Sequence, residues 1–99
     1  MAPALRVKVK YLAVAREIAG AREEVIEISN PSTIMDLLVL LVQKHGQKMR
    51  EYLFDQKTGE PRPHLQFFLN DKSIHLISGL ETALTNDSTL AIVPPVSGG

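Results

Sequence analysis

Across residues 5–11 every second residue is apolar: Leu5, Val7, Val9 and Tyr11 alternate strictly with Arg6, Lys8 and Lys10. A helix would scatter those apolar side chains around its circumference, whereas a strand sends successive side chains to opposite faces. The stretch therefore predicts a half-buried β-strand. Its dry face needs a second layer to cover it. Residues 15–20 have room for one helical turn ending at Gly20. Glu24-Val25-Ile26-Glu27-Ile28 then resumes a strand with Ile26 and Ile28 on one side. The first two strands read as a hairpin with a wide connection.

The covering layer is visible next. Asn30-Pro31-Ser32-Thr33 stops the second strand, and Thr33 with Asp36 three residues later has the form of a capping box. Ile34, Leu37, Leu38, Leu41 and Val42 follow at helical spacing, and Gly46 after Lys44-His45 reads as the stop. Met49, Tyr52 and Leu53 predict one more short helix, on which Val39 and Leu40 are expected to pack. Residues 55–59 read as a turn, and Pro61 and Pro63 argue against a central strand there. Residues 65–69 read as a third strand. Residues 70–73 turn the chain into a fourth, Ile74-His75-Leu76, and residues 89–93 form the last. The main helix crosses between strands that are not hairpin neighbours while the first two strands pair antiparallel, so the sheet is expected to be mixed. One helix over a mixed four- or five-stranded sheet is an α+β fold of the β-grasp, ubiquitin-like kind. Residues 1–93 are expected to form the domain, and residues 94–99 an extended, flexible tail.

Composition narrows the function. Eleven basic residues balance eleven acidic ones, so no global field draws the chain to nucleic acid or an anionic membrane. The absence of cysteine removes disulfides, a thiolate nucleophile and Cys-rich zinc sites. It also fits a reducing compartment, and the N-terminal residues show no apolar stretch of signal-peptide type, so a cytoplasmic protein is expected. His45, His64 and His75 lack metal-ligand spacing and read as helix-end, loop and surface residues. Glu23, Glu24 and Glu27 read as solvated strand carboxylates, and no glycine belongs to a phosphate-cradling motif.

The unusual part is the ending, Pro94-Pro95-Val96-Ser97-Gly98-Gly99. Two prolines favour an extended lead, and six residues at about 3.3 Å each project a carboxylate up to roughly 20 Å. Glycines without Cβ let a backbone pass through a narrow channel and approach a phosphate closely. Such a carboxylate reacts once its oxygen is made a leaving group, as in an acyl-adenylate. Sulfur transfer then yields a thiocarboxylate, and a lysine amine an isopeptide bond. The tail permits both.

Residues 84–99 resemble the closing segment of the molybdopterin-synthase small subunits, the MoaD family, with Pro-Pro-Val-Ser-Gly-Gly as the specific part. The similarity continues through Phe68-Leu69-Asn70, which looks like the family's third-strand Val-Asn signature, and through the opening strand and its exit, residues 11–17. Residues 47–63 are longer than in the shortest members and resemble the archaeal branch, where related proteins also serve as ubiquitin-like modifiers. The resemblance implies that Gly99 is adenylated by an E1-like enzyme using ATP and Mg and then converted to a thiocarboxylate. It further implies insertion of the tail into a molybdopterin-synthase large subunit, where the sulfur forms the dithiolene. The chain would then be a carrier that binds no cofactor, with the catalytic residues on its partners. The alternatives are a protein modifier joined through Gly99 to lysines of target proteins, and a non-reacting interaction domain. Strand parity adds a surface: Leu12, Phe68 and Val93 fall opposite Tyr11, Phe67 and Ile92, and so are expected to form an apolar partner interface beside the tail.

Overall fold

The computed structural model describes residues 4–94. In chain order it contains β1 (Ala4–Tyr11), α1 (Val14–Ala19), β2 (Glu23–Ser29), α2 (Ile34–His45), α3 (Gln47–Leu53), β3 (Gln66–Leu69) and β4 (Lys72–Ser73). Two 3-10 turns (Ile74–Leu76 and Gly79–Glu81) lead to β5 (Ser88–Val93). The strands form one sheet in the order β2-β1-β5-β3-β4. β1 and β5 are parallel and the other pairs antiparallel, so the sheet is mixed with the helices on one face, as the β-grasp order predicts.

The alternation in β1 is obeyed without exception. Leu5, Val7, Val9 and Tyr11 are buried, while Arg6, Lys8 and Lys10 are exposed. α2 begins where its cap dictates: the Asp36 N–H donates to Thr33 Oγ1 at 3.3 Å, and the Thr33 N–H donates back to Asp36 Oδ2 at 2.9 Å. Ile34, Leu37, Leu38 and Leu41 are fully buried against the sheet. The helix ends at Gly46, whose φ of 86° is open to glycine at little cost. Burying such a leucine contributes on the order of 2 kcal/mol, so this stripe is a main source of cohesion.

Two expectations need correction. Ile74-His75-Leu76 is not a strand. The turn closes at Asn70-Asp71, both with positive φ, and Lys72 pairs with Leu69 at once. Ser73 Oγ then accepts the His75 N–H at 3.3 Å, and the chain winds into a 3-10 turn. A strand would place Ile74 and Leu76 on one face, but the turn buries Ile74 and leaves Leu76 76% exposed. Nor is Val39 covered by α3: Met49 and Leu53 are sunk in the core, and Val39 stays 45% exposed, lining an open surface pocket with Arg50 of that helix and with Phe54, while Leu40 is half-buried.

Candidate functional site

β5 occupies the middle of the sheet, with β1 parallel on one side and β3 antiparallel on the other. Ile92 pairs with both Tyr11 and Phe67, and Val93 with Gln66, so the last strand is held in the sheet to its final residue. Asn70 anchors its beginning, where the side-chain Oδ1 accepts the Thr89 N–H and the Asn70 N–H donates to the Thr89 carbonyl, both at 2.9 Å. Pro94 follows, half-buried. Of the predicted tail, Pro95, Val96, Ser97, Gly98 and Gly99 lie outside the described residues.

Parity sorts these side chains between the two faces as expected. Tyr11, Phe67 and Ile92 are core, while Phe68 and Val93 are half-buried on the opposite face and Leu12 is exposed. Phe68 pairs with Ala91, which puts Phe68, Ala91 and Val93 on neighbouring positions of two adjacent strands. Leu12 stands one residue past the Tyr11–Ile92 pair, at the level where Val93 leaves. The sheet thus brings Phe68 and Val93 together near Pro94, with Lys8 and Lys10 of β1 along the other flank.

Beneath the same end of the sheet is a polar cluster that composition and spacing did not single out. Glu24 shares the parity of Ile26 and Ile28, so its side chain faces inward rather than to solvent. Its Oε1 accepts the Tyr11 hydroxyl and the His45 Nε2–H, and Lys44 Nζ lies 3.0 Å from its Oε2. The His45 ring stands edge-on to Tyr11 at 5.9 Å between centroids. Burial alone would push the Glu24 carboxyl up, but hydrogen bonds from Tyr11, His45 and Lys44 and the charge of His45 outweigh it and hold the group below the usual carboxylate range. The Tyr11 phenol is pushed upward by its burial and then by Glu24, so it stays a donor. The cluster ties β1, β2 and the end of α2 together, and the readable signal was parity: a glutamate in phase with two isoleucines. Among the described residues no group of His, Cys, Asp or Glu is arranged to hold a metal.

The fold and the ending have relatives. Residues 9–99 match the model of the ThiS family. The chain belongs to that family. The molybdopterin synthase sulfur carrier subunit of Chlamydomonas reinhardtii is 30% identical over 98 residues, covering 96% of this chain and all of that one. Small archaeal modifier protein 3 of Haloferax volcanii is 24% identical over 95 residues, again 96% of this chain and all of the relative. In three dimensions the small archaeal modifier protein 1 of Methanosarcina acetivorans superposes with a TM-score of 0.82 at 29% identity, over 98% of this chain and 99% of that one. This ThiS-family chain is a ubiquitin-like protein of the sulfur-carrier and modifier group, and its resemblance to MoaD proteins stands. No described helix is long and apolar enough to cross a membrane.

Proposed function

We propose that the chain is a sulfur carrier whose Gly99 carboxylate is activated and converted to a thiocarboxylate, supplying sulfur for the dithiolene of molybdopterin. The observation that carries this reading is the end-to-end similarity to a molybdopterin synthase sulfur carrier subunit, in a family match that runs through Gly99. In the reaction a carboxylate oxygen of Gly99 attacks the α-phosphorus of ATP and releases pyrophosphate. A sulfur nucleophile then adds to the acyl carbon and AMP leaves with that oxygen. The Mg and the acid–base groups for these steps belong to the E1-like partner. This chain contributes the Gly99 carboxylate and two glycines able to fit a narrow site, following in sequence a strand paired on both sides. Leu12, Phe68 and Val93 form the surface on which the activating enzyme and a synthase large subunit dock.

A second reading is favoured by the similarity to two archaeal modifiers: attack of a target lysine on the same adenylate, giving an isopeptide through Gly99. Both reactions share the activated intermediate, so one chain is able to serve both. Intact-mass analysis of the protein from its native cells separates them. Replacement of one terminal oxygen by sulfur is expected for the carrier, and Gly-Gly remnants on lysines of other proteins for the modifier. Finding only unmodified protein and no remnants would remove both.

A further inference from the structure

Among the described residues β2 is an edge strand, paired only with β1. The register of that pair shows which of its backbone groups are unused. The Tyr11 N–H donates to the Arg22 carbonyl at 2.8 Å, one step beyond the Lys10–Glu23 pair. In an antiparallel ladder hydrogen-bonded and non-bonded pairs alternate. Glu24, Ile26 and Ile28 therefore turn their N–H and C=O toward β1, while Glu23, Val25 and Glu27 turn theirs outward along the free edge. Beside that edge, between β2 and α2, runs a groove of about 350 Å³ lined by Val25, Ile26, Glu27, Leu40, Gln43 and Lys44. Val25, in the middle of the edge, is 49% exposed.

The geometry points to this edge as a docking site for an extended segment of a partner protein in which basic residues alternate with apolar ones. Main-chain hydrogen bonds to Val25 and its alternate neighbours would hold such a strand, as in strand addition generally. Its apolar side chains would enter the groove over Ile26 and Leu40, and its basic side chains would lie opposite Glu23 and Glu27 on the outer face. The chain already solves this pairing once. β1 sets Lys10 and Arg6 opposite the same two glutamates, with Val9, Val7 and Leu5 on the inner face. A second copy of this chain fits poorly. A two-fold pairing of β2 with itself centred on Val25 opposes Glu23 to Glu27, one centred on Glu27 opposes it to itself, and one centred on Ile26 brings four glutamates to the seam with no base across it. The site stands on β2 and α2 alone and is independent of what happens at Gly99.

The test titrates the full chain with a labelled peptide of about eight residues alternating lysine with valine, and with a glutamate–valine control, following backbone amides by NMR. Expected are shifts at Val25, Glu27 and Leu40 with the basic peptide and none with the acidic one. Val25→Pro removes an outward N–H that β1 does not use, which edge strands tolerate. It should weaken binding about tenfold or more with the rest of the spectrum preserved. The double variant Glu23→Lys, Glu27→Lys leaves the backbone edge intact and should transfer binding to the acidic peptide. The proposal is overturned by absence of binding, by equal binding of both peptides, by shifts confined to Phe68, Ala91 and Val93, or by dimerisation of the chain through β2.

Discussion

The inner face of the sheet is covered in two different ways. Over β1 and β2 lies α2, twelve residues long and reciprocally capped, with a buried stripe of Ile34, Leu37, Leu38 and Leu41. No helix of that length recurs among the described residues, where the seven-residue α3 adds Met49 and Leu53 to the core. Single residues, Leu65 and Leu84 from irregular chain and Ile74 from a 3-10 turn, are plugged into the core. Ile34 N–H to the Thr82 carbonyl at 3.1 Å and Leu84 N–H to the Ser32 carbonyl at 2.9 Å fasten the second cover to the first. The contrast shows that a β-grasp sheet needs one regular element to set its layer spacing and can close the remainder with anchored irregular chain.

Substitutions should separate the two covers. Leu38→Ala, in the rigid stripe, is expected to cost about 3 kcal/mol or more by thermal or denaturant unfolding, because the neighbours are held in a helix and cannot close the cavity. Ile74→Ala removes a side chain of similar size from the irregular cover, where a turn is able to settle inward, and should cost less, about 2 kcal/mol. Equal losses would mean that the second cover is as rigid as the first. Thr33→Ala should remove about 1 kcal/mol by opening the capping box, with faster amide exchange confined to the first turn of α2.

A smaller, pH-confined effect is expected at Glu24. Its pKa in the folded chain lies below the ordinary value of 4.5, so the stability it adds is present above that pH and is lost as pH falls through the folded value. Glu24→Gln should flatten the acid limb of the stability profile below about pH 4.5, and an unchanged acid limb would show that the cluster adds no net linkage. Leu76→Ser, at the exposed side of the 3-10 turn, should change stability by less than about 0.5 kcal/mol, in contrast to Ile74 two residues before it.

The first cover was legible in the sequence because its signals are periodic and reinforce one another: alternation in β1, a cap at Thr33, a stripe, and glycine at position 46. The second was not, since Ile74-His75-Leu76 has the composition of a strand and only the Ser73 side chain, competing for the His75 N–H, turns it into a 3-10 turn. The apolar surface of Phe68 and Val93 followed from parity alone. Glu24 was misplaced because three glutamates read as one solvated group, although phase with Ile26 and Ile28 assigns only one of them to the inner face. The exposure of Val39 has a different reason: periodicity says which residues leave the stripe but not whether a neighbouring helix covers them.

The position of β5 also has a mechanical meaning. A pull on the chain beyond Pro94 is transmitted along the axis of a central strand, so the ladders to β1 and β3 carry it together in shear. A terminal strand at a sheet margin would instead unzip one bond at a time. A load arriving at Val93 is therefore shared by two ladders at the centre of the sheet, and the body behind it keeps its shape.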